Sequence, residues 1–206
     1  MRKISESTVR RLALYLGFLE QSAAQGLRTI SSADLARRGG TTSAQVRKDL
    51  SFFGSFGKRG LGYSVTELAG QIRDILGLKR AHRVVVVGAG KMGGALLHYQ
   101  GFRQHGFEFA AIYDADPKKI GSRWNGLVVR DVRSLEADLK KEPTDIAIVV
   151  TPADVAQDVT DRLVRAGVRA ILNFAPVQLV VPADVTVHSV NMALELETLS
   201  FALANR

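Results

Sequence analysis

Apolar positions along this chain fall into two regimes. Up to about residue 80 they recur at helical spacing, and beyond it short runs of valine and isoleucine alternate with helical stretches. In the first regime Val9, Leu12, Ala13, Tyr15, Leu16 and Leu19, with Leu14 and Phe18 widening the stripe, predict a helix over 7–25. A stripe wider than one face implies contact beyond its own small domain, a partner subunit included. From residue 31 the spacing predicts two short helices. Ser31 or Ser32 caps the first, Gly39 and Gly40 stop it, and Thr41 or Thr42 caps a second that runs through Val46 and Leu50. Ala36 is small where the two would cross, Gly40 suits the positive φ of the turn, and Val46 packs back between them. Ser43, Gln45, Arg47 and Lys48 then face outward, and these types contact base edges and phosphates. An ordinary helical hairpin with a solvated basic face is the plainer alternative.

Glycines at 54, 57, 60 and 62 follow, with Lys58 and Arg59 between them. A glycine-rich hairpin tipped by two cations, directly after such a helix, predicts a wing resting on phosphates or entering the minor groove. Phe52, Phe53 and Phe56 suit packing rather than base stacking. Helical spacing resumes over 65–78, and Lys79-Arg80 marks the expected domain boundary.

The second regime opens on four valines, 84–87, that suit a strand buried on both faces of a parallel sheet. They stop at Gly88-Ala89-Gly90-Lys91-Met92-Gly93, and a helical stretch over 91–100 comes next. Strand, Gly-x-Gly-x-x-Gly and helix in that order predict a phosphate cradle: Gly88 for the turn, Gly90 for close backbone approach, Gly93 for helix–strand packing. A strand over 107–113 ends at Asp114, twenty-one residues past Gly93, where a carboxylate accepts the hydroxyls of an adenosine ribose. Capping the turn of Asp114 to Pro117 is its structural alternative, and Lys118 and Lys119 are cations near enough to tolerate a phosphate. Further strands are expected over 124–132, 145–151, 170–174 and 185–190, with helices over 135–141 and 153–167. This is a Rossmann-like doubly wound α/β sheet. Thr151, Pro152, Asn173, Phe174 and Ala175 fall at its carboxyl strand ends, where ligands bind. Residues 191–205 are apolar on too many sides for a surface helix, which favours a dimer with an exchanged tail.

Charge sharpens the division. Net charge is +8; residues 1–80 hold 14 Lys/Arg against 6 Asp/Glu, whereas 81–206 hold 14 of each. The basic half points to a polyanion. With 46% hydrophobic residues the chain buries a real core, and with no cysteine it has neither disulfides nor cysteine chemistry. No apolar signal core or membrane span is seen, so a cytoplasmic protein is expected. His82, His98, His105 and His188 occur singly, without a spaced acid–base pair or metal-ligand set.

QVRKDL at 45–50, KRGLGY at 58–63, GAGKMG at 88–93, DADPKKIG at 114–121 and ILNFAP at 171–176, joined in this order, resemble the bacterial Rex family. The resemblance spans nearly the whole chain. It implies a redox-sensing repressor with a winged-helix DNA-binding domain over 1–80, a Rossmann NAD(H)-binding domain over 81–190 and a swapped C-terminal helix over 191–206. The homodimer would bind an inverted-repeat operator and leave it when NADH binds, NAD+ competing without releasing DNA. By position, Arg47 and Lys48 fall on the recognition helix, Lys58 and Arg59 on the wing, Asp114 on the ribose, and Tyr99 near the nicotinamide. Gly17 and Asn191 stand where relatives carry an arginine and an aspartate that form a state-dependent pair with that tyrosine. Two other readings remain: a repressor of another nucleotide-like ligand such as coenzyme A, and a small NAD-dependent oxidoreductase. No substrate domain follows the cofactor fold, which weighs against the enzyme.

Overall fold

The computed structural model describes residues 4–54, 56–57 and 61–205. Lys58 and Arg59, expected at the wing tip, lie outside the described residues. The chain divides into two compact units, Met1–Arg80 and Ala81–Arg206.

In the first unit α1 spans Glu6–Ala24, capped by the Ser5 hydroxyl, which accepts from the Thr8 N–H. A short strand β1, Thr29–Ile30, leads to α2, Ser32–Arg38, and α3, Ser43–Ser51, capped by Ser31 and Thr42 respectively. Gly40 takes φ +59° at the turn between them. Strand β2, Tyr63–Ser64, runs into α4, Val65–Ile75. Leu12, Tyr15, Leu16 and Leu19 of α1 close over Leu35, Val46, Leu50, Leu68 and Ile72 in one core.

The glycine-rich segment differs from a simple hairpin. Among the described residues 52–57 form no strand, and β2 pairs antiparallel with β1 instead. The glycines allow close approaches: a Cβ on Gly57 would lie 2.6 Å from the Gly62 carbonyl oxygen, and one on Gly62 2.7 Å from that of Ile30. Glycine here permits close packing, not flexibility. Phe53 and Phe56 pack on the core as expected, whereas Phe52 is exposed.

The second unit holds β3 His82–Val87, α5 Lys91–His98, α6 Gln100–Gln104, β4 Phe107–Asp114, β5 Arg123–Trp124, β6 Leu127–Asp131, α7 Leu135–Lys141, β7 Ile146–Val149, α8 Ala153–Arg165, β8 Ala170–Asn173, β9 Thr186–Ser189 and α9 Met192–Ala204. The strands form a sheet in the order β5-β6-β4-β3-β7-β8-β9. All neighbours are parallel except the β5–β6 pair. This is the doubly wound α/β arrangement.

The valine run is divided between faces as a two-sided strand requires. Val85 and Val87 join Leu135, Leu139, Val159 and Leu163 beneath α7 and α8. Val84 and Val86 join Leu97 of α5, Ile112 and Ile148 on the other side.

Two elements depart from the periodicity. The expected strand over 124–132 is a hairpin, because Asn125 at φ +47° and Gly126 at φ +84° form a tight turn between β5 and β6. The expected helix over 91–100 breaks at Tyr99, whose φ −74° and ψ +104° separate α5 from α6. Helix α9 touches little of its own chain. Its leucines and Phe201 are exposed, Phe201 at 70%.

Candidate functional site

The glycine loop owes its shape to two contacts that a side chain would abolish. A Cβ on Gly93 would lie 2.1 Å from the Gly88 carbonyl oxygen, and one on Gly88, at φ +115°, would lie 2.6 Å from that of Val150. Helix α5 therefore starts hard against the ends of β3 and β7. Around Gly90 there is open space within 4 Å of where a Cβ would stand, and its backbone is ordinary extended chain. A phosphate has room there, in front of the free N–H groups at the start of α5.

Backbone bonds bring the carboxyl strand ends to one edge. The Gly88 N–H donates to Tyr113 O (2.8 Å), Val150 N–H to Val87 O (2.9 Å) and Phe174 N–H to Val149 O (2.8 Å). Asp114 closes the edge: its Oδ2 accepts the Ala89 N–H at 2.7 Å and its Oδ1 the Asp116 N–H at 2.8 Å. It thus caps the turn that follows and holds the glycine loop at once. Lys119 Nζ lies 3.1 Å from Oδ2. Burial pushes the Asp114 carboxyl up, but the bonds from Asp116, Lys119 and Ala89 outweigh it and hold the group below the usual range. It stays ionised, as a ribose acceptor must.

Other expected contacts are distributed unevenly. Lys91 and Met92 begin α5 and are exposed, and Ala89 is buried. Thr151 follows β7; its Oγ1 is buried without a hydrogen-bond partner, and an unsatisfied hydroxyl at a strand end is what a polar ligand would relieve. Pro152 is the N-cap of α8. Phe174 is half-buried on the sheet and Ala175 is buried. Tyr99 is exposed, its ring edge-on to Phe102 at 5.0 Å.

Asn173 has its side chain engaged within its own loop. It is fully buried, its Nδ2 donates to Ala175 O and Val177 O, and its Oδ1 accepts from Ala175 N–H. Its side chain is consumed in shaping the loop after β8. The sequence missed two supports. Trp124 lies against Gly94, where a Cβ would approach its ring to 2.7 Å, and Asn125 Nδ2 donates to Leu97 O at the end of α5.

In the basic unit, α3 presents Arg47 and Lys48 to solvent, with Ser43 one turn before Arg47. Arg47 Nη1 donates to Ser32 Oγ at 3.1 Å, which steadies it across the helix pair. Gln45 is different. Its Nε2 donates to Asp49 Oδ1 at 2.8 Å, which ties one amide donor to the core side. Asp49 is fully buried and also accepts Arg11 Nε and Nη2, at 2.6 and 2.8 Å, and the Tyr15 hydroxyl at 3.0 Å. Burial raises its pKa, yet the bonds from Arg11, Gln45 and Tyr15 leave it lowered overall. Burial, then the bond to Asp49, pushes Tyr15 up to about 12. This network ties the exposed helix to α1.

Comparisons with known proteins agree over the whole chain. The curated redox-sensing transcriptional repressor Rex of Carboxydothermus hydrogenoformans is 48% identical over 97% of this chain and 96% of its own. The chain belongs to the Rex family of redox-sensing transcriptional repressors. Two solved structures of the family member RSP superpose throughout: its complex with β-NAD+ and operator DNA at TM-score 0.94 and 38% identity, covering 94% of that chain, and its complex with β-NADH at 0.91 and 36%, covering 96%. Residues 3–51 match the putative DNA-binding protein N-terminus family, and residues 79–177 the CoA binding domain family. Gly17 lies within α1, and Asn191 caps α9 by accepting the Ala193 and Leu194 N–H groups.

Two predictions follow from this geometry. Gly90→Ala should keep the melting temperature of the wild type but weaken dinucleotide binding at least about tenfold, since only the approach of a phosphate is obstructed. Gly93→Ala should instead lower the melting temperature as well; scanning calorimetry with fluorescence titration separates the two. Asp49→Asn should cost about 3–5 kcal/mol in denaturant unfolding, as expected for one member of a buried pair. Because the folded pKa of Asp49 is depressed, its contribution is complete above the unfolded value of about 4 and is lost as pH falls through the folded value. The deficit of Asp49→Asn should therefore shrink between pH 6 and pH 2.

Proposed function

We propose that this chain is a homodimeric repressor that holds an inverted-repeat operator through two copies of α3 and lets it go when NADH occupies the glycine-loop site. It then reads the NADH/NAD+ ratio. The observation that carries this reading is the pairing, on one chain, of a preorganised basic helix with a phosphate cradle closed by an ionised carboxylate. The RSP complexes with operator DNA and with β-NADH support it.

The dimer rests on a complementarity within the second unit. Helices α7 and α8 cover one face of the sheet, while the β7–β8–β9 half of the other carries an apolar groove of about 250 Å³, lined by Phe102, Phe109, Ile146, Ile148 and Leu172 with His188 at β9. Helix α9 is apolar around its circumference and exposed. Two copies exchanging α9 onto these faces would bury both surfaces, worth roughly 25 cal/mol per Å² of apolar area.

A non-catalytic role fits the placement of the histidines. His82 stacks on Phe107, His98 meets the Gly94 carbonyl, His105 ends α6 and His188 lines the groove. No helix among the described residues is long and apolar enough to cross a membrane. We place the protein in the cytoplasm, where its DNA and dinucleotides are.

The match over 79–177 favours a second reading, coenzyme A as ligand. Coenzyme A carries a phosphate on its adenosine ribose, and the ionised Asp114 opposes that charge.

Operator gel shifts with NADH, NAD+, NADPH and coenzyme A test these readings. Loss of the shifted band with NADH, and its persistence with NAD+, is expected; persistence with NADH and loss with coenzyme A would overturn the dinucleotide reading. Arg47→Ala should weaken operator binding by about 1–3 kcal/mol and relax base preference. Lys58→Ala or Arg59→Ala should weaken binding to many sequences and flatten its salt dependence.

A further inference from the structure

The carboxylate of Asp114 is almost saturated before any ligand arrives. A carboxylate offers about four lone-pair sites. Oδ2 receives the Ala89 N–H at 2.7 Å and Lys119 Nζ at 3.1 Å, and Oδ1 receives the Asp116 N–H at 2.8 Å. The two backbone donors belong to the folded loops and remain. Of the three, only the ammonium sits on a movable stem, and a ribose diol that uses two acceptor sites must compete with it.

Lys119 is not there by chance of rotamer alone, because its backbone is held. The Lys119 N–H donates to Asp116 O at 3.0 Å, and the Lys119 carbonyl accepts both the Ser122 N–H at 2.9 Å and the Ser122 hydroxyl at 2.5 Å. Gly121 and Ser122 are bonded to Val129 of β6, which docks the whole turn on the sheet. The side chain is part-buried, 36% exposed, and points back to Asp114. Lys118, its neighbour, is exposed, and only its N–H engages the turn, by donating to Asp116 Oδ1 at 2.9 Å.

We propose that Lys119 is a second specificity determinant of the nucleotide site: its ammonium competes with the ribose hydroxyls for Asp114 and screens that carboxylate from a phosphate on the ribose. This rests on the dinucleotide reading above. Asp114 alone repels a 2′-phosphate and so separates NADH from NADPH. A cation 3.1 Å from the same carboxylate offsets that repulsion and offers the phosphate a partner. The protein is accordingly less selective against the 2′-phosphate than its strand-end aspartate alone would make it. Binding of the plain dinucleotide carries the work of displacing an ion pair.

The test is the ratio of NADPH to NADH dissociation constants, measured by fluorescence titration on the full-length protein and on Lys119→Gln, Lys119→Arg and Lys118→Gln. Lys119→Gln should raise the ratio on the order of tenfold, through weaker NADPH binding with NADH binding kept or tightened. Lys119→Arg should retain the wild-type ratio, and Lys118→Gln should leave it unchanged. A structural role would move both constants together and leave the ratio where it was, as would an idle lysine; either result overturns the proposal. An equal rise of the ratio in Lys118→Gln would also overturn it, by reducing the effect to general surface charge. Wild-type protein that binds neither dinucleotide would instead remove the site reading on which the proposal stands.

Discussion

The arrangement of the second unit depends on two missing Cβ atoms. Helix α5 starts where a side chain on Gly93 would stand 2.1 Å from the Gly88 carbonyl, and β3 turns where one on Gly88 would strike Val150. That closeness fixes the first turn of α5 over the sheet edge, and the helix dipole then adds to the free N–H groups that face a phosphate. It also delivers the Ala89 N–H to Asp114, so the carboxylate is oriented by the same glycine loop. Trp124 and Asn125 brace α5 from the edge hairpin, the first against Gly94 and the second on the Leu97 carbonyl.

The first unit solves a different problem by a similar device. A recognition helix must offer polar groups to solvent without rocking on its core. Asp49, buried and bonded by Arg11, Tyr15 and Gln45, provides a fixed point on α3, whose Arg47 and Lys48 are exposed. An ion pair buried this way contributes little net stability over an apolar packing, but it specifies orientation by its bond geometry. The basic half-chain therefore supplies charge, and this network decides where the charge is placed.

Much of this was legible in the residues. Helical spacing located α1 through α4, and the valine run with its glycine loop and Asp114 located the nucleotide edge. What escaped has a common cause, since periodicity records which positions are apolar but not which polar group is already taken. Gln45 and Asn173 read as open polar groups, whereas in the fold the first is bonded to Asp49 and the second to Ala175 and Val177. Boundaries failed where one residue changes direction: Tyr99 between α5 and α6, and Asn125-Gly126 between β5 and β6. The exposed α9 was identifiable as apolar on all sides, though no pattern within one chain says what covers it.

On the reading proposed above, redox sensing requires an energetic coupling between dinucleotide binding and DNA binding. A ligand shifts a two-state equilibrium only by its difference in affinity for the two arrangements, about 1.4 kcal/mol for each tenfold. Gly17 and Asn191 carry no charge, and Asn191 is engaged in capping α9. A coupling carried by packing around Tyr99, Phe174 and α9 would need no charge pair at these two positions. Linkage makes it measurable from either side. The decisive measurement is the NADH dissociation constant with and without operator DNA at one fixed salt concentration. A redox switch predicts that operator weakens NADH binding by the same factor by which NADH weakens operator binding, whereas equal NADH affinities in the two conditions would contradict it.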